Sequence, residues 1–195
     1  MKRHGRIPSQ KNKMNETEIS EQLSRYFESK GLLILGKFDA FDHPDDNDER
    51  SFAIDLAIGP VGTKGCRSHD QELDDQRLFE QHSSVIDPII EEFNSVSLFP
   101  RNRQAIRSWS RQPNPNPLVG IAIEIENNLS KYFLGSLLAA AITGRWGMVI
   151  IENLTNETRW ISTLDRMMHK GAASPIPSNI LIFSWPTLRD KINNG

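Results

Sequence analysis

The sequence predicts an α/β fold, a mixed β-sheet with helices on both faces. Three observations predict it. Short apolar runs rich in Ile and Val alternate with longer stretches of helical periodicity. Residues 118–126 alternate as a strand does, with Ile121, Ile123 and Ile125 on one face and Ala122, Glu124 and Glu126 on the other. A Leu/Ala-dense helical run at 130–143 joins that strand to another at 148–151, and such a strand–helix–strand unit closes as a right-handed parallel crossover.

The elements follow in order. Residues 1–14 carry Lys2, Arg3, Arg6, Lys11 and Lys13 and read as a flexible basic tail. Asn15 and Glu18 have capping-box spacing. The helix they open places Ile19, Leu23, Tyr26 and Phe27 on one face and stops at Gly31. Residues 32–38 form a first strand, and 41–50 an acidic loop with Asp42, Asp45, Asp46, Asp48 and Glu49. The second strand, 52–58, sets Ile54, Leu56 and Ile58 against Ala53, Asp55 and Ala57 on the other face. Residues 59–65 are a turn-rich exit, and 70–96 are helical with a break near Asp87-Pro88. An Arg-, Asn- and Pro-rich segment at 99–117 ends in an extended Pro-Asn repeat. Beyond the crossover come a helix at 157–170, a strand at 180–183 and a short helix at 186–192. The expected organisation is one domain over 15–195, with 59–117 as a helical, Arg-bearing insertion between the second and third strands.

Composition bounds the function. The chain has 195 residues, enough for one sizeable core. Its net charge of -2 gives no global attraction to nucleic acid, so any such attraction must come from local clusters. The single cysteine, Cys66, excludes an intrachain disulfide and a cysteine-based zinc site, and is compatible with a reducing, cytoplasmic setting. No apolar run reaches the roughly 20 residues of a membrane span. The basic N-terminus has no apolar stretch after it, as a secretory signal would.

The chemistry concentrates on two strands. Glu is depleted in strands, so Glu124-Ile125-Glu126 within an apolar run asks for a reason. Asp55 repeats the design on the second strand. Alanines flank the acids on both, which leaves room for a small cation. The bland alternatives are a loop cap or an Arg partner for Asp55, and a solvated sheet face for the two Glu residues.

The constellation resembles the PD-(D/E)xK nuclease superfamily, with its restriction-endonuclease-like fold. The resemblance rests on an N-terminal helix before a strand pair, on Asp55 within Ala53-Ile54-Asp55-Leu56, and on Glu124-Ile125-Glu126 feeding the small-residue helix Gly135-Ser136-Leu137-Leu138-Ala139-Ala140-Ala141. It covers residues 15–58 and 118–184. It implies metal-dependent hydrolysis of nucleic acid, with DNA the expected substrate. Mg²⁺ or Mn²⁺ would be bound by Asp55, Glu124 and Glu126, since hard cations favour carboxylate oxygens and can activate water. It also implies that two copies could pair to cut both strands. The chain departs from the pattern at the third position, where Glu126 replaces the usual Lys. Glu126 could act as the base or bind a second ion, Lys131 in the next helical turn could supply the missing cation, or the site could be inactive. The family often adds an acid from the first helix, and periodicity selects Glu16, which shares a face with Ile19, Leu23 and Phe27. Glu16 could equally just complement the helix N-terminus.

A substrate contact is also legible. Arg103, Arg107 and Arg111 recur every four residues and would form a basic stripe on a helix. Arginine forks suit phosphates and guanine edges. The competing reading is a solvated face paired with Glu72, Asp74 and Asp75, or with Glu91 and Glu92. Other motifs fail: Gly59–Gly65 lacks Walker A order, the acidic loop lacks the glycine of an EF-hand, and the histidines lack zinc-hydrolase spacing. Two other classes stay open beside the nuclease. One is a catalytically inactive module of the same fold that binds nucleic acid or serves assembly. The other is a protein-interaction domain sharing only the architecture.

Overall fold

The computed structural model describes residues 16–39, 53–65, 67–98, 112–127, 133–154, 158, 162 and 177–194. Its elements are α1 (Glu16–Ser29), β1 (Ile34–Asp39), β2 (Ala53–Val61), α2 (His69–Asn94), β3 (Val119–Glu126), α3 (Phe133–Thr143), β4 (Gly144–Ile151), β5 (Ile180–Ser184) and α4 (Trp185–Asn194). The sheet has five strands in the order β1-β2-β3-β4-β5. The first three form an antiparallel meander, and β3-β4 and β4-β5 pair in parallel. The α/β class, the mixed sheet and the parallel 118–151 unit therefore stand.

Two apolar layers sandwich the sheet. On one face Ile19, Leu23 and Phe27 of α1, Ile86, Ile90 and Phe93 of α2, and Leu188 of α4 meet Leu56, Ile58, Ile121, Ile123, Met148, Leu181 and Phe183. On the other, Phe133, Leu137 and Ala140 of α3 cover Ala122, Val149 and Ile182. α3 lies close because β4 presents a glycine. An added Cβ on Gly147 would stand 2.9 Å from the Ala140 carbonyl.

α1 buries Ile19, Leu23, Tyr26 and Phe27, as its periodicity requires, and Gly31 leaves it with a left-handed φ of 75°. α2 differs from expectation. It is one unbroken helix with Pro88 inside it. Proline removes one helical hydrogen bond, but Ile86, Ile89, Ile90 and Phe93 are buried on both sides of it and hold the axis in register with the core. Asp87 has work outside the helix. It accepts from Trp146 Nε1 at 2.9 Å and faces Arg145 at 3.6 Å. The segment expected to be an insertion is thus, over α2, part of the core.

β2 and β4 also run longer than predicted. β2 continues through Gly59 and Pro60, where the register with β3 shifts between Ile58 and Val61. A bulge is where a central strand can accommodate proline, and Gly59 supplies the positive φ, 88°. β4 begins at Gly144, directly after α3, so that glycine starts a strand as well as ending a helix. The basic tail, Asn15, the acidic loop, Cys66 and most of the predicted 157–170 helix lie outside the described residues. Among the described residues no helix is long and apolar enough to cross a membrane.

The loop after β2 is clamped to α2. Asp75 is buried and accepts from Thr63 N at 3.1 and 2.9 Å, from Thr63 Oγ1 at 3.2 Å and from Arg67 at 3.1 Å. Removing the carboxylate leaves a partly buried N–H and a largely buried guanidinium unmatched. Asp75→Ala is therefore expected to lower stability by about 3 kcal/mol in urea titration. A midpoint unchanged from wild type would show that the clamp contributes nothing.

Candidate active site

The predicted acids gather where β2 and β3 separate. Their ladder pairs Leu56 with Ile123 and, among the described pairs, goes no further toward Asp55. Beyond it the backbone N–H of Ile125 donates instead to Asp55 Oδ2, at 2.7 Å. A side chain thus takes the place of a strand carbonyl. This answers one bland alternative in part: Asp55 does have a structural task, and it performs it with one carboxylate oxygen.

The ladder is irregular on the β1 side of Asp55 as well. Gly36 pairs with Leu56 and Phe38 with Ile54, while Lys37 between them adopts a left-handed φ of 44°. Such a φ is uncommon for a residue with a Cβ and breaks side-chain alternation. Leu56 and Ile58 stay on the α1 side, but Ile54 and Phe38 pack in the α3 cluster. The expected common face of Ile54, Leu56 and Ile58 is corrected accordingly. On β3 the alternation holds. Ile121 and Ile123 lie on the α1 side with Ile125 packed against them, and Ala122 lies on the α3 side.

Asp55 and Glu124 are adjacent, with a side-chain hydrogen bond between them. Both are half-buried. Burial raises the Asp55 pKa above the ordinary carboxylate value, and the bonds from Ile125 and Glu124 oppose that rise. Glu124 is pushed up to about 8, first by burial, then by the charges of Asp55 and Glu126, by the bond to Asp55 and by Glu16. Two carboxyls sharing a desolvated site cannot both ionise cheaply. Glu16, selected by helical periodicity, therefore acts electrostatically on both acids from the first residue of α1. It is exposed, so its role in capping the helix dipole also stands.

Glu126 has a different partner. Its Oε1 accepts from the hydroxyl of Ser136 on α3. The β3–β4 pairing continues past it, with Glu152 N donating to Glu126 O at 2.8 Å and Asn153 N to Asn127 O at 2.9 Å. Asn153 Nδ2 also donates to Asn127 Oδ1 at 3.1 Å. Ser136, Asn127 and Asn153 were not selected from the sequence. The one signal for Ser136 is a polar residue in an otherwise apolar helix.

The donor set suits a hard cation. Asp55 and Glu124 supply adjacent carboxylates, and Mg²⁺ commonly uses one or two carboxylates while retaining water. Among the described residues no three acidic, histidine or cysteine side chains converge as a cage for one ion. The fit is thus to a two-carboxylate, water-retaining site. Lys131 and the stripe of Arg103, Arg107 and Arg111 lie outside the described residues. Several acids proposed to neutralise that stripe are engaged elsewhere: Asp75 with Arg67, Asp74 with Arg77, and Glu92 with Lys191.

The fold and site together define an α/β protein with a desolvated carboxylate cluster at the end of a mixed sheet. No family model, curated protein or solved structure matches the chain.

Proposed function

We propose that the protein is a metal-dependent nuclease of restriction-endonuclease-like architecture that hydrolyses DNA phosphodiesters. The observation that carries this reading is the adjacency of Asp55 and Glu124 at the point where β2 and β3 part. Its further support is the order helix, strand pair, acidic third strand and crossover helix that underlies the PD-(D/E)xK resemblance. Asp55 and Glu124 would hold Mg²⁺ or Mn²⁺, which when bound offsets charge on the phosphate and lowers the pKa of water. Glu126 would orient or accept a proton from the attacking water. Glu16 would tune the charge of the pair. The Arg103, Arg107 and Arg111 stripe would contact the phosphate backbone, and pairing of two copies would allow both strands to be cut.

The test is nicking of supercoiled plasmid with Mg²⁺ or Mn²⁺, against EDTA and against Asp55→Asn. Cleavage that needs both the metal and Asp55 is the expected result. The Ile125–Asp55 bond favours a second reading, an inactive module that keeps the acids for structure. Salt-sensitive DNA binding that survives Asp55→Asn, with no cleavage and no heat on Mn²⁺ titration, would move the assignment there.

A further inference from the structure

The two glutamates of Glu124-Ile125-Glu126 sit in different surroundings, and the difference assigns them different work. Glu124 leans on Asp55. Glu126 is held by a helix on the α3 side of the sheet, through the Ser136 hydroxyl. A serine hydroxyl has a single proton to donate. Here it goes to one oxygen of Glu126, which fixes that carboxylate and leaves its second oxygen outside the bond.

α3 is well placed to hold that position. Phe133, Leu137, Ala140 and Ala141 are buried on both sides of Ser136, so the helix is anchored before and after the contact. The cleft between α3 and β4 is tight, with Ala140 against Gly147. Ser136 therefore cannot drift without moving the core. Orientation of this kind matters most for a group that must meet a water at one angle. It matters less for a cation, which tolerates rearranged waters.

We propose that Ser136 is the positioning residue for Glu126, and that it reserves Glu126 for the water while Asp55 and Glu124 take the ion. The geometry points this way in the Ser136–Glu126 bond, which ties that carboxylate to α3 while Glu124 leans on Asp55. This inference rests on the nuclease reading and divides the labour within it. It also replaces the absent motif lysine with a serine–glutamate pair drawn from a strand and the helix that follows it.

The experiment uses the full chain and four variants, Ser136→Ala, Ser136→Thr, Glu126→Gln and Ser136→Ala combined with Glu126→Gln. Two readouts are taken: plasmid nicking, resolved into kcat and KM, and calorimetric Mn²⁺ titration. Ser136→Ala is expected to lower kcat by about 10- to 100-fold with KM unchanged, the range open to a misoriented acid–base group. Mn²⁺ affinity should stay within a factor of two or so of wild type, because the ion's carboxylates are untouched. Ser136→Thr should restore most of kcat. The double variant should be no slower than Glu126→Gln alone, since the two groups act as one unit. A wild type that cuts while Ser136→Ala cuts equally well overturns the assignment and leaves the nuclease reading intact. A weaker Mn²⁺ affinity in Ser136→Ala also overturns it, by making Glu126 a ligand. A wild type that neither cuts nor binds Mn²⁺ removes the nuclease reading and this role with it.

Discussion

Glu124→Gln is expected to abolish metal-dependent cleavage and, at pH 8 without metal, to raise the melting temperature. The second effect follows from the charge that Glu124 must carry at that pH. Glu124 in the folded protein is pushed up to about 8 from an ordinary 4.5, with burial the largest cause and the charge of Asp55 the next. Between those two values the folded chain keeps a proton that the unfolded chain has released. Bound protons are then more numerous in the folded state, so stability falls as pH rises through that window. The contribution is complete below the unfolded value and gone above the folded one. Asp55, raised in the same direction, adds to the fall. Screening at half-buried groups reduces the cost at pH 8 to about 2 kcal/mol, or about 4–8 °C for a chain of this size. A neutral Gln removes this slope. Thermal melts at pH 5 and pH 8, with and without Mn²⁺, test all of it. Wild type should lose stability toward pH 8 and regain it with Mn²⁺, whereas Glu124→Gln should be nearly flat and indifferent to the ion. A wild-type curve flat from pH 5 to 8 would refute the account of the site as mutually repelling acids.

Asp55 and Glu124 lie side by side, and the charges of Glu126 and Glu16 act on both. The sequence showed these acids because strand alternation and helical periodicity are short-range rules. Glu124 and Glu126 fall on the α3 side with Ala122 because β3 is regular. Glu16 falls near the pair because α1 is regular too. The rules fail where the backbone leaves its regular path. Lys37 turns left-handed and Ile54, on the strand beside it, packs on the other face, and nothing in the letters around Lys37 announces this. Pro88 reads as a break because proline costs a hydrogen bond, yet the four large residues around it are all buried and outweigh that cost. The Ser136–Glu126 contact spans the turn between β3 and α3, so no periodicity within either element reveals it. Ser68 and Gln71, by contrast, make a capping box whose three-residue spacing is legible in the sequence.

Phe93→Ala should cost about 3–5 kcal/mol of folding stability, a large share of what holds a domain together. Phe93 has no exposed surface and joins three elements at once. Its ring lies 5.4 Å from Tyr26 and 6.2 Å from Phe27 on α1, and 6.1 Å from Phe183 on β5. The edge-to-face contacts with Phe27 and Phe183 add to the effect of burial, and the cavity left by truncation is lined by rigid rings that collapse poorly. The loss should nonetheless stay away from the chemistry. Ten residues of helix separate Glu16 from Tyr26, a rise of about 15 Å. Below the lowered melting temperature, Phe93→Ala should therefore bind Mn²⁺ as wild type does. Phe93→Leu should recover most of the stability, because it refills the space without the ring contacts. Urea titration of both variants, beside Mn²⁺ calorimetry at 10 °C or so, separates the two quantities. A folded Phe93→Ala that has lost Mn²⁺ binding would mean that the aromatic cluster sets the position of α1, and with it the charge that Glu16 brings to Asp55 and Glu124.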